Sequence, residues 1–166
     1  MRLNLNDIIG RPGVRKPFAF DLDLAGISFP QVEKLDTPFA ASGYVENKAG
    51  ALELTGELVT SLTYRCDRCM KHVPVRKTYP VTAHLAEKLI DEENPDIFLL
   101  ENGAVDLDEV FTTAFVLAME SKFVCNADCA GLCITCGADL NDGACACKKE
   151  VDPRLAALQQ LLDKDE

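Results

Sequence analysis

No stretch of this 166-residue chain approaches the roughly 20 consecutive apolar residues that a membrane-spanning helix needs. The first twelve residues, Met-Arg-Leu-Asn-Leu-Asn-Asp-Ile-Ile-Gly-Arg-Pro, hold no continuous apolar run of the secretory type. A cytoplasmic location without membrane contact is therefore expected, and there thiols stay reduced. No P-loop and no dinucleotide-binding glycine fingerprint occurs. Histidine is scarce: only His72 and His84 are present, and neither has a nucleophile–base constellation around it. Neither an enzyme nor a small-molecule substrate is expected. Positive charge is also short, with 17 Lys and Arg against 27 Asp and Glu and a net charge of −10, which at first sight opposes nucleic-acid binding.

Cysteine, by contrast, is dense. Six of the eight cysteines fall between Cys125 and Cys147 (Cys125, Cys129, Cys133, Cys136, Cys145 and Cys147), and the other two form Cys66-Asp-Arg-Cys69. One or two buried thiols serve a core as well as eight, so packing does not account for them. A Cys-x-x-Cys turn brings two sulfurs to one tetrahedral ion, and two such pairs complete an S4 shell. Gly131-Leu-Cys133-Ile-Thr-Cys136-Gly137 reads as a zinc knuckle, with Gly137 free to take positive φ and turn backbone N–H groups toward sulfur. Cys145-Ala-Cys147 places both side chains on one side of an extended segment. Disulfides are compatible with the even count but not with a reducing compartment. A thioredoxin-type motif wants one Cys-x-x-Cys rather than a cluster.

Two structural Zn2+ ions are thus expected on Cys66, Cys69, Cys125, Cys129, Cys133, Cys136, Cys145 and Cys147. Two groupings fit. Either Cys133, Cys136, Cys145 and Cys147 share a local site while Cys66 and Cys69 join Cys125 and Cys129, or the two knuckles face each other as in a zinc ribbon. The first closes shorter loops and costs less entropy. His72, three residues past Cys69, can stand in for a cysteine, whereas His84 reads as structural. Four thiolates leave no open position for water, so the chemistry expected is structural and not hydrolytic.

Charge is unevenly spread. Residues 65–77 hold Arg65, Arg68, Lys71, Arg76 and Lys77 against only Asp67, and residues 1–20 hold Arg2, Arg11, Arg15 and Lys16 against only Asp7. Residues 87–109 carry nine acids and one lysine. Arg65, Arg68, Lys71, Arg76 and Lys77 are candidate phosphate contacts, weighed against an ordinary solvated surface. With only Tyr64 and Tyr79 nearby, backbone or shape recognition of RNA is favoured over sequence readout. The acidic stretch offers the other possibility, a protein–protein adaptor for a basic partner; a thiol-based redox or zinc sensor is a third.

The chain is 48% apolar, enough for a core. Leu3, Leu5 and Ile8 suggest a short first strand ended by Gly10-Arg-Pro-Gly13, and Phe18 to Leu24 alternates as a half-buried strand. Residues 30–38 read as loop or edge. Residues 41–46 and 51–65 read as strands joined at Asn47–Gly50, with Gly56 suggesting a bulge or bend. The longer strand ends at Cys66 and Cys69, and residues 73–85 return, which puts that pair at a hairpin tip. Ile97–Leu100 suggests a last strand. Asp106 and Glu109 suggest a capping box for a helix over 107–120, with Leu107, Val110, Phe111, Ala114, Leu117 and Ala118 on its apolar face. Asp152-Pro153 opens a final helix with Leu155, Leu158 and Leu162 along one side. The fold class expected is α+β: an antiparallel β-sheet or partly closed β-barrel with one packed amphipathic helix, a Cys-rich zinc-ribbon-like segment and a short C-terminal helix. The division is a β-rich domain over 1–120, a metal-binding segment over 121–150 docked on the 66–69 tip, and the helix over 151–166.

Cys66-Asp-Arg-Cys69, followed by Asp106-Leu107 opening a helix, resembles the YceD family of large ribosomal RNA subunit accumulation proteins. Cys129-Ala-Gly-Leu-Cys133-Ile-Thr-Cys136-Gly-Ala-Asp-Leu-Asn141, then Cys145-Ala-Cys147 and Asp152-Pro-Arg-Leu155, is similar to that family's cysteine-rich branch. The resemblance covers roughly residues 40–162, with Ile134 where a proline is common. It implies a role in accumulation of large-subunit (23S) ribosomal RNA and large-subunit biogenesis, with that RNA, the precursor subunit or a basic ribosomal protein as partner. Some family members lack the C-terminal cysteines, which implies that the metal segment supports the function without performing it.

Overall fold

A computed structural model describes residues 1–24, 27–30, 32–35, 39–87 and 97–147. Its centre is a hairpin of two 15-residue strands, β5 (Ala51–Arg65) and β6 (His72–Ala86), paired without a register break from Leu52↔Leu85 to Arg65↔His72. Before it come β1 (Arg2–Asn4), β2 (Arg15–Leu22), β3 (Val32–Leu35) and β4 (Phe39–Lys48). After it come β7 (Ile97–Leu99), β8 (Ala104–Asp106) and α1 (Leu107–Ala118). The main sheet runs β2-β4-β5-β6-β7, with β3 beside the far half of β5, and β1 pairs separately with β8.

The sheet is open and not barrel-like: among the described residues β2 and β7 are its two end strands. It is also not wholly antiparallel, because β7 runs parallel to β6. Helix α1 takes the place that opposing strands would fill in a barrel. Phe111 and Phe115 are fully buried; Phe111 meets Phe18 and Phe20 edge-on at 5.7 and 5.5 Å, and Phe115 meets Phe39 and Tyr79 at 5.0 and 5.1 Å. Burying each such ring contributes about 1.5–3 kcal/mol. Asp106 caps the helix by accepting from the Asp108 N–H at 3.0 Å, and among the described residues no return bond from Glu109 accompanies it. The buried stripe is Leu107, Val110, Phe111 and Phe115; Leu117, expected inside, is 68% exposed, and Ala118 is exposed too.

Gly56 is not a bulge. It sits in register opposite Gly43 on β4 and Val81 on β6. A Cβ on Gly56 would lie 2.7 Å from the Ser42 carbonyl oxygen and 3.0 Å from the Phe111 ring, and one on Gly43 only 2.3 Å from the Thr55 oxygen. The two glycines admit the Phe18–Phe111 pair to the sheet surface. The irregularity falls instead between Val32 and Lys34, where edge strand β3 shifts register against β5. The expected C-terminal helix over 151–166 and part of the acidic stretch (88–96, with four of its nine acids) lie outside the described residues.

Because the hairpin is long, α1 covers only its base. A second cluster continues toward the tip, where Leu62, Tyr64 and Phe123 are buried with Val73 and Val75 against them. A third, of Cys66, Cys69 and Cys129, follows at the tip itself.

Candidate metal centre

The segment after α1 is fastened to the hairpin tip by groups other than sulfur. The Tyr64 hydroxyl donates to the Val124 carbonyl at 3.0 Å, and its ring lies 4.7 Å from that of Phe123. Asp67 engages Phe123 twice: its N–H donates to the Phe123 carbonyl at 2.8 Å, and its Oδ2 accepts from the Phe123 N–H at 2.7 Å. Arg68 donates through Nη1 to the carbonyls of Cys129, at 2.8 Å, and Ala127, at 3.2 Å.

These ties bring Cys125 and Cys129 to Cys66 and Cys69. The four sulfurs all lie within 4.8 Å of one another, with Cys66–Cys129 at 3.9 Å and Cys69–Cys125 at 3.6 Å. A thiolate–metal distance of about 2.3 Å puts tetrahedral sulfurs about 3.8 Å apart, so the set fits a tetrahedral ion. Cys133, Cys136, Cys145 and Cys147 make a second such set within the same limit. All eight are free cysteines. The arrangement is the local-plus-long-range grouping, and the knuckle-to-knuckle ribbon is not formed. His72 stands apart from both sets, exposed, with its Nδ1 against Glu33. The inner set is mostly buried, while the outer set is partly exposed with Cys136 open to solvent.

Backbone N–H groups prepare the sulfurs for charge. Burial pushes the Cys66 thiol up, but N–H groups of Cys69, Arg68 and Cys125 outweigh it and bring the thiol down to about 6. Cys133 likewise falls to about 6, through N–H groups of Cys136 and Thr135. Their neighbours move the other way: Cys125, beside Cys129, and Cys147, beside Cys136, are each pushed up to about 12. Four crowded sulfurs cannot all ionise by themselves, and a divalent cation at the centre of each set removes that conflict.

The five candidate phosphate contacts divide. Arg68 is committed to carbonyls of the docked segment; Lys71 pairs with Asp139 at 2.8 Å and Asp142 at 3.6 Å; Lys77 pairs with Glu120 and lies 5.0 Å over the Phe123 ring. Arg65 is half exposed with Glu33 at 4.0 Å, and Arg76 is exposed with no ion-pair partner among the described residues. Of the N-terminal cations, Arg15 pairs with Glu46 at 3.1 Å and Lys16 with Asp7 at 2.8 Å. The roles of Asp67 and Asn141 as ties to the tip escaped sequence reasoning. Their positions, Asp67 inside a Cys-x-x-Cys turn and Asn141 between Cys136 and Cys145, were the available signal.

Fold and sulfur geometry together define a β-sheet protein in which a hairpin tip and the segment after α1 share one four-cysteine set, and that segment carries a second by itself. Family comparison sharpens this: the chain belongs to the YceD family, described as large ribosomal RNA subunit accumulation protein YceD, whose profile matches residues 54–162. A relative in Zea mays, named large ribosomal RNA subunit accumulation protein YCED homolog 1, chloroplastic, is 28% identical over 181 residues, covering 89% of this chain and 61% of that protein. A protein of Mycobacterium tuberculosis (strain ATCC 25618 / H37Rv), described as uncharacterized, is 27% identical over 153 residues, covering 90% of this chain and 71% of that one. The chain thus spans about three fifths of the maize relative's length. No solved structure matches it. No described helix is long and apolar enough to cross a membrane.

Proposed function

We propose that this protein is a non-enzymatic factor supporting accumulation of large-subunit (23S) ribosomal RNA and assembly of the large ribosomal subunit in the cytoplasm, with two structural zinc ions. The observation that carries it is the family match over 54–162, which contains the hairpin tip, α1 and both sulfur sets. Cys66, Cys69, Cys125 and Cys129 would hold one ion and Cys133, Cys136, Cys145 and Cys147 the other. Zinc suits eight thiolates in tetrahedral sets; it would supply fold energy and no open coordination position. Residues 121–147 would then serve as a rigid extension of the β-rich part, with Arg65 and Arg76 as the cations left to meet phosphate. Depleting the protein should lower 23S relative to 16S ribosomal RNA, and wild type but not Cys66→Ser with Cys69→Ser should restore it. Unchanged 23S RNA on depletion would overturn the reading.

A second reading, an adaptor for a basic ribosomal protein, gains support from the internal use of Arg68, Lys71 and Lys77 and from the net charge of −10. Partners that survive nuclease treatment of a pull-down favour the adaptor, and partners lost with it favour RNA contact.

A further inference from the structure

Asn141 lies in the loop between Cys136 and Cys145, whose two ends both belong to the outer set, yet its side chain serves the inner one. Its Nδ2 faces the Cys129 Sγ at 3.5 Å and also donates to Asp139 Oδ1 at 2.6 Å. Its Oδ1 accepts from the Ala130 N–H at 2.8 Å, which fixes the amide so that the donor end meets sulfur. Asp139 also accepts from the Asn141 N–H at 2.9 Å and pairs with Lys71, two residues beyond Cys69. Two backbone bonds complete the frame: the Leu132 N–H donates to the Arg68 carbonyl at 3.1 Å, and the Leu140 N–H to the Gly131 carbonyl at 2.9 Å. At φ +75, Gly131 passes so close to the tip that a Cβ there would lie 3.0 Å from the Arg68 oxygen.

We propose that Asn141 is a positioning residue through which the outer ion strengthens the inner one, so that the two ions bind with positive cooperativity. The inference rests on the two-metal reading above. With an ion on the outer set, the 137–144 loop is held closed and the Asn141 side-chain Nδ2–H is delivered to the Cys129 thiolate. A hydrogen bond donated to a ligating sulfur spreads charge that four thiolates and one divalent ion leave in excess. With the outer set empty, the inner ion must order that loop itself before it gains the bond. Linkage makes the effect reciprocal: whatever factor the outer ion adds to the inner, the inner adds to the outer.

The test is zinc competition against a chromophoric chelator under reducing conditions, on the full chain, with 113Cd NMR to assign the two centres. Asn141→Asp keeps an oxygen for the Ala130 N–H but sets a negative oxygen against sulfur. It should weaken the inner centre by about tenfold or more, in the range usual for loss of a partner behind a metal ligand. Cys133→Ser with Cys136→Ser, which removes the outer centre, should weaken the inner one similarly, and adding Asn141→Asp should then cost little more. In Asn141→Asp the inner 113Cd resonance should move while the outer one stays, a change that a merely loop-supporting role would not produce. Inner affinity within about twofold of wild type in the variants, or losses that multiply, would overturn the proposal. Wild type that binds fewer than two ions would instead overturn the two-metal reading itself.

Discussion

Met70 and Gly137 occupy the same place in two turns of one design. Each follows the second cysteine of a Cys-x-x-Cys pair, at φ +60 and +74. Each donates its N–H to the carbonyl of the first cysteine, Met70 to Cys66 at 2.9 Å and Gly137 to Cys133 at 2.8 Å. The N–H of that first cysteine reaches back to the next residue, Cys66 to the Lys71 carbonyl at 2.9 Å and Cys133 to that of Ala138 at 2.8 Å. Only one of the two left-handed positions carries glycine.

A non-glycine side chain in that conformation costs about 1 kcal/mol. Met70→Gly should therefore stabilise the zinc-loaded protein by a few tenths to about 1 kcal/mol, and Gly137→Ala should destabilise it by a similar amount. Urea unfolding at fixed zinc reads both.

Arg68 and Arg76 should separate architecture from binding. Arg68→Ala removes two charged hydrogen bonds to the docked segment and should cost about 1–2 kcal/mol. Arg76→Ala should leave stability within about 0.5 kcal/mol, as expected for an exposed site. Any loss of RNA or ribosome association in Arg76→Ala at unchanged melting temperature would then report contact and not folding.

Metal-free protein should show a stability maximum in pH. Cys66 and Cys133 fall from 9.0 to about 6 on folding, so their contribution is full above 9.0 and is lost as pH falls toward 6. Cys125 and Cys147 rise from 9.0 to about 12, so they hold protons that the unfolded chain releases and cost stability as pH climbs above 9.0. Denaturation of metal-free protein should thus show stability rising from pH 6 toward 9 and falling beyond. Cys133→Ser should flatten the rise.

The Tyr79 hydroxyl is buried beside Phe115 and has no hydrogen-bond partner among the described residues. Burial pushes it up to about 12. Tyr79→Phe should stabilise the protein by about 1 kcal/mol, because an unsatisfied buried group is removed and the ring contact kept. Thermal melting checks the sign.

The hairpin and the helix start were legible because each follows from local spacing; for the cysteines, spacing left two groupings open, and shorter loop closure favoured the one that brings Cys133, Cys136, Cys145 and Cys147 together. Alternation through Leu52, Leu54 and Leu58 and the turn at Cys66–Cys69 fixed where the chain reverses. What escaped depends on partners distant in sequence. Gly56 looked like a bulge because Gly43 and two phenylalanine rings, its reason for being glycine, lie on other elements. Leu117 was placed inside because helical periodicity does not show where the sheet beneath α1 ends. Arg68 and Lys71 looked like free cations because the carbonyls and carboxylates that take them up lie about 60–70 residues away. Open topology was likewise hidden: an alternating strand carries no mark of whether its neighbours curl round to meet or are covered by a helix.

The inner sulfur set joins Cys66 to Cys129, whereas the outer one lies wholly between Cys133 and Cys147. During synthesis, which proceeds from the N-terminus, Cys66 and Cys69 leave the ribosome as a half-built site and stay so until Cys125 and Cys129 follow. The outer quartet, by contrast, emerges within the single stretch from Cys133 to Cys147. A nascent chain therefore exposes two orphan thiols for much of its elongation, and a pause or truncation before Cys125 would leave the pair open to the wrong metal or to oxidation.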